Sequence, residues 1–70
     1  MSTWPSTRAA RVLDALLRIG RSVKRQRGSH ATHERAGWPD FVWAFHDGDE
    51  LEPRMLGRMA KRTGLQPNHL

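Results

Sequence analysis

Six consecutive residues, Arg25-Gln26-Arg27-Gly28-Ser29-His30, hold the densest chemistry of this 70-residue chain. Two guanidiniums can grip a phosphate through paired hydrogen bonds. Lys24, just before them, adds a third cation. Glycine lets the backbone turn sharply or approach a ligand closely, and Gly28-Ser29 reads as a turn. Histidine is the side chain best suited to moving a proton near neutral pH. The run therefore reads as a place where a phosphodiester is held and attacked. Arg25 and Arg27, with Lys24, would contact the phosphate, Gly28-Ser29 would turn the chain and bind the nucleic acid beside them, and His30 would transfer the proton.

The other titratable residues offer less. His46 lies after an aromatic run and is the candidate for a second proton-transfer group. His33 falls on the opposite side of a strand from His30, by the alternation of side chains. No cysteine is present, so neither a disulfide nor a thiolate metal ligand is available. His30 and His33 lack carboxylate partners in a known ligand pattern such as H-E-x-x-H. No metal and no cofactor are expected. Ser29 has no visible triad and reads as a turn residue rather than a nucleophile.

The elements that must position these groups follow from periodicity. Val12, Leu13, Leu16 and Leu17 recur at helical spacing, so a helix is expected from Thr7 to Ile19, capped by Ser6 or Thr7 and stopped by Gly20. Residues 1–6 read as a tail. A weak strand over Arg21–Arg27 and a second over His30–Arg35 flank the Gly28-Ser29 turn. Ala36-Gly37-Trp38-Pro39-Asp40 reads as another turn. Phe41-Val42-Trp43-Ala44-Phe45 is the best strand, with Phe41, Trp43 and Phe45 on one face. These rings could stack on bases, but so small a chain needs them in its core. Val42, Ala44 and Trp38 are then left outside. Asp47 to Glu50 form a polar loop. Pro53 suits a helix start, and Met55, Leu56, Met59 and Ala60 form a second stripe that ends at Gly64.

The order helix, strand, strand, strand, helix predicts one α+β domain over residues 1–70. Its two helices would pack on one face of a three-stranded antiparallel sheet, the α-β-β-β-α arrangement of double-stranded-RNA-binding domains. The net charge of +5 is concentrated in residues 1–35, where eight Lys/Arg face only Asp14 and Glu34. Such a half-domain suits a polyanion, nucleic acid first. No apolar run approaches the roughly 20 residues of a membrane span. Met1-Ser2-Thr3-Trp4-Pro5 lacks the pattern of a signal peptide, and a cytoplasmic protein is expected.

Gly20, the Arg25–His30 run, the aromatic strand ending in His46, the Glu50-Leu51-Glu52-Pro53 helix start and Gly64-Leu65 together resemble the HicA toxins of bacterial toxin–antitoxin systems. The resemblance covers Thr7 to Leu65. It implies a dsRBD-like endoribonuclease that cleaves mRNA and so blocks translation; attack of a 2′-OH on the neighbouring phosphorus requires no metal, so a metal-independent reaction is expected. It also implies a HicB-like antitoxin that joins the toxin, itself monomeric when free, in a hetero-oligomer. The catalytic histidine of the family carries over to His30, and the basic residues before it to Arg25 and Arg27. One departure is that members usually place an aromatic after the helix-ending glycine, where this chain has Arg21. Two other readings remain: a non-catalytic RNA-binding module of the same fold, and a purely structural partner of a repressor-like antitoxin.

Overall fold

The computed structural model describes residues 4–46 and 48–70. Three strands, β2 (Ser22–Arg27), β3 (His30–Arg35) and β4 (Trp38–Ala44), form one antiparallel sheet in that order. Helices α1 (Ala9–Arg18) and α2 (Pro53–Thr63) flank it in sequence, giving the expected α-β-β-β-α layout. Two short strands add to it: β1 (Thr7–Arg8) pairs antiparallel with β5 (Glu50–Leu51). A 3-10 turn, Pro67–His69, follows α2. Of the expected tail, residues 1–3 lie outside the described residues. Trp4 is half-buried against the core, with its ring beside Gly57.

The β1–β5 pair corrects the expected start of the first helix. Thr7 and Arg8 are held extended opposite Leu51 and Glu50, so α1 begins two residues later than the hydroxyl pattern suggested. No side chain caps it. The Ala9 N–H instead donates to the Asp49 carbonyl at 2.8 Å, and the Thr7 hydroxyl donates to the Pro5 carbonyl. A backbone acceptor brought in from another element thus satisfies one of the orphan N–H groups of a first turn.

Both apolar stripes are shifted slightly from the expected ones. In α1, Ala9, Val12, Ala15 and Leu16 are buried, while Leu17 is largely exposed. In α2 the buried residues are Leu56, Met59 and Thr63, and Met55 is exposed. Ala9, Val12, Ala15 and Leu16 recur three and four apart and so share one helix face, which leaves Leu17 at its edge. The core gathers Val12, Ala15, Leu16, Phe41, Trp43, Leu51, Leu56, Met59 and Leu65. Phe41 and Trp43 point inward as their spacing requires, Phe45 is half-buried just past β4, and Val42 lies 60% exposed on the other side.

The second turn is shorter than its composition suggests. Only Ala36-Gly37 turn, and Trp38, Pro39 and Asp40 already belong to β4, with Trp38 opposite Arg35. Proline is tolerated there because β4 is an edge strand and needs no donor on its free side. The polar loop is also trimmed: Glu50 is in β5, and Asp47 lies outside the described residues.

Candidate active site

The hairpin between β2 and β3 sets the site. Gly28 and Ser29 form a two-residue loop, and only Gly28 has a positive φ, +58°. That pattern, with glycine first, matches the tight turns whose twist suits a hairpin. It places Arg27 directly opposite His30. One row further, Arg25 stands opposite Thr32, after a bulge at Lys24 shifts the register between Val23 and Arg25.

Opposed residues share a face of the sheet, with Cβ atoms about 5 Å apart. Continued across β4, the register gives two rows: Arg27–His30–Ala44 and Arg25–Thr32–Val42. Both rows lie on the face away from the core. The intervening row, Gln26–Ala31–Trp43, faces the helices. Arg25, Arg27 and His30 are all exposed and within side-chain reach of one another.

Lys24 is placed differently. Its ammonium is 3.0 Å from the Asp40 carboxylate of β4, in an exposed ion pair. The outer face is therefore polarised along the strands. Its hairpin end carries uncompensated guanidiniums, and its far end carries Asp40 paired with Lys24. An anion approaching the tip meets two guanidiniums with no ion-pair partner among the described residues.

His46 also comes to the tip, but from the other side. The Phe45 N–H donates to the Ser29 carbonyl at 3.3 Å, which draws the end of β4 against the turn. There a cavity of about 430 Å³ opens, lined by Leu13, Gln26, Gly28, Ser29, Phe45 and His46. His30 does not line it. The Asp49 carboxylate accepts the backbone N–H of His46, and among the described residues no hydrogen bond engages its imidazole.

Two polar residues whose burial the sequence does not signal support the sheet beneath. Arg21 is only 2% exposed. Its guanidinium donates to the carbonyls of Arg62 at 3.0 Å, Thr63 and His33 at 3.4 Å, and Pro39. It sits at the C-terminal end of α2, where unsatisfied carbonyls and the helix dipole favour a cation. Burial, and then the nearby Arg35, lower its pKa, opposed by Asp40, yet arginine stays protonated in proteins.

His33 is fully buried. Its Nε2 accepts the Trp43 indole N–H at 3.0 Å, so the ring proton belongs on Nδ1, which has no hydrogen-bond partner among the described residues. Burial, and then the charge of Arg21, push its pKa below the ordinary value. His33 is a neutral core residue, on the face opposite His30. The only sequence signal for either residue is positional, namely the alternation that turns His33 inward and the site after Gly20 where an aromatic is usual.

Among the described residues, no group of three or more His, Cys, Asp or Glu is arranged to hold a metal, and no helix is long and apolar enough to cross a membrane.

These features define a small α+β protein with helices on one face of its sheet and an arginine–histidine surface on the other. The family model described as the HicA toxin of bacterial toxin–antitoxin systems matches residues 9–65. The chain belongs to the HicA toxin family. Neither curated proteins nor solved structures gave a match.

Proposed function

We propose that the protein is a metal-independent endoribonuclease that cleaves mRNA, with His30 as its proton-transfer residue. The observation that carries this reading is the Arg27–His30 pair across the hairpin tip, with Arg25 one row behind on the same exposed face. Arg25 and Arg27 would hold one phosphate of a single strand. His30 would take the proton of the neighbouring 2′-OH. The 2′-oxygen then bonds to phosphorus, the P–O5′ bond breaks, and the 5′-oxygen takes up a proton. The products are a 2′,3′-cyclic phosphate and a free 5′-OH. Charge building on the phosphorus oxygens is met by the two guanidiniums, and a positioned acid–base group contributes roughly 10²–10⁴-fold.

His46 lies across the turn from His30 and is assigned the smaller share, protonation of the leaving oxygen. As a toxin of this family the protein acts with an antitoxin, here a HicB-like one joined in a hetero-oligomer. An exposed, cationic tip is accessible to such a partner as well as to RNA.

The test is cleavage of RNA in EDTA by the wild type, His30→Ala and His46→Ala. His30→Ala is expected to lose at least 100-fold in rate while RNA binding is kept, and His46→Ala is expected to lose much less. Equal cleavage by wild type and His30→Ala removes His30 from the mechanism. Salt-sensitive binding without any cleavage favours the alternative reading, a non-catalytic RNA-binding module.

A further inference from the structure

Among the described residues, the planar groups on the outer face at the tip are the Arg25 and Arg27 guanidiniums and the His30 ring, all already assigned to the phosphate and the proton. The other positions of this face beside the tip are Thr32, Val42 and Ala44, and the Phe41 and Trp43 rings of β4 face the core. Unpaired RNA bases are usually recognised by stacking on a ring and by hydrogen bonds to their edges. A phosphate held at the hairpin tip thus leaves its base without an unengaged ring on that face. Just beneath the tip, the missing elements occur together.

The cavity there combines an apolar floor, Leu13 and the half-buried Phe45, with three polar side chains, Gln26, Ser29 and His46. Its volume, about 430 Å³, falls within the roughly 300–1,000 Å³ of small-molecule sites, which share this mix of apolar walls and few polar groups. The polar groups are largely uncommitted. The Gln26 amide makes one long bond, to the Gly28 carbonyl at 3.4 Å, and no bond involves the Ser29 hydroxyl or the His46 ring among the described residues. Gln26 faces this side because it stands opposite Ala31, in the row between Arg25 and Arg27. Gly28 and Ser29 are shared: they form the turn beside the Arg27–His30 row and also one wall of the cavity.

We infer that the cavity under the hairpin tip takes one unpaired nucleobase, adjacent to the phosphate held by Arg25 and Arg27, and that Gln26 reads its edge. The base stacks against Phe45, with His46 at the cavity's edge. The Gln26 amide, which carries both a donor and an acceptor, pairs with the donor–acceptor edge of the base. Gln26 is then a specificity-determining residue and no part of the proton transfer. The inference rests on the ribonuclease reading for its first test, so a second readout is included that needs no cleavage.

In the first test, a random-sequence single-stranded RNA pool is cut by wild type, Gln26→Ala and Gln26→Glu, and the cut positions are sequenced. The base preference is measured within each variant's own products, so overall rate does not enter. The wild type is expected to favour one base beside the cut. In Gln26→Ala that preference falls by about tenfold, within the range a paired amide–base contact supplies. In Gln26→Glu the preferred base changes, because the amide donor is gone. The same preference in all three proteins overturns the inference.

In the second test, short single-stranded RNA is added to His30→Ala protein and followed by NMR. The Gln26 side-chain amide and the Phe45 and His46 ring signals are expected to shift. Shifts confined to Arg25 and Arg27 overturn the subsite even if the wild type cuts RNA. Shifts at Gln26 with no cutting by the wild type support the subsite and remove the ribonuclease reading.

Discussion

Arg21 is the residue on which most separate pieces of backbone converge. Its donors reach carbonyls of β3, β4 and the end of α2, from a position just past α1. Without the guanidinium these carbonyls are left buried and unpaired, at about 1–3 kcal/mol each where water cannot reach. Arg21→Ala is expected to lose about 3 kcal/mol of unfolding free energy, measured by urea titration. That is a large share of the roughly 5 kcal/mol expected for so small a domain. His33 gives a pH signature. Its folded pKa is held below 6.5, so at acid pH the unfolded chain binds more protons than the folded one. Stability is complete above about pH 6.5 and falls as the pH drops below it. Urea midpoints measured between about pH 6.5 and 5 should show this slope, and His33→Leu should flatten it. Neither residue was legible as buried from its type, because arginine and histidine ordinarily read as surface. The acceptors that make the burial of Arg21 tolerable come from residues as far as 42 positions away. His30, Arg25 and Arg27 were legible because their chemistry is local to one six-residue run.

At the scale of elements, the glycines at the two ends of the fold behave differently. Gly64 closes α2 in the left-handed region, φ +81°. A Cβ there would lie 2.8 Å from the Arg35 guanidinium and 2.9 Å from the Trp38 ring, which are themselves stacked at 5.4 Å. Trp38 is thereby given a role inside the fold, as a cover over the end of the helix. Gly28 has a similar φ but open space around it. Gly28→Ala is expected to cost about 1–2 kcal/mol, the left-handed penalty alone. Gly64→Ala should cost clearly more, because the ring and guanidinium must also move. Thermal unfolding of the two variants side by side checks this difference. The three main strands and both helices were legible from period and punctuation. The β1–β5 pair was not, since two-residue strands carry no periodicity. The first three residues of β4 were hidden by Pro39 and Asp40, whose turn chemistry is tolerated at a sheet edge.

For the whole molecule, the excess charge of +5 matters less than where it is unopposed. All six residues of β2 are exposed, and of its three cations, Lys24, Arg25 and Arg27, Lys24 is already paired with Asp40. Each phosphate contact to a single strand contributes roughly 0.7 to the slope of log affinity against log salt. Arg25→Ala and Arg27→Ala are each expected to reduce that slope by about 0.7, and Lys24→Ala by less, as read by fluorescence anisotropy across a salt series. The sign of the charge and its bias to one half were legible in composition; the placing of Arg25 and Arg27 on one face beside His30 required the strand register. The way Arg21 braces this cysteine-free fold has one more consequence. Arg21→Ala leaves a hole shaped for a planar cation and ringed by carbonyls. Millimolar guanidinium, ordinarily a step toward unfolding, should fill that hole as a ligand and raise the melting temperature of the variant before higher concentrations lower it. The wild type, whose hole is occupied, should show only the fall.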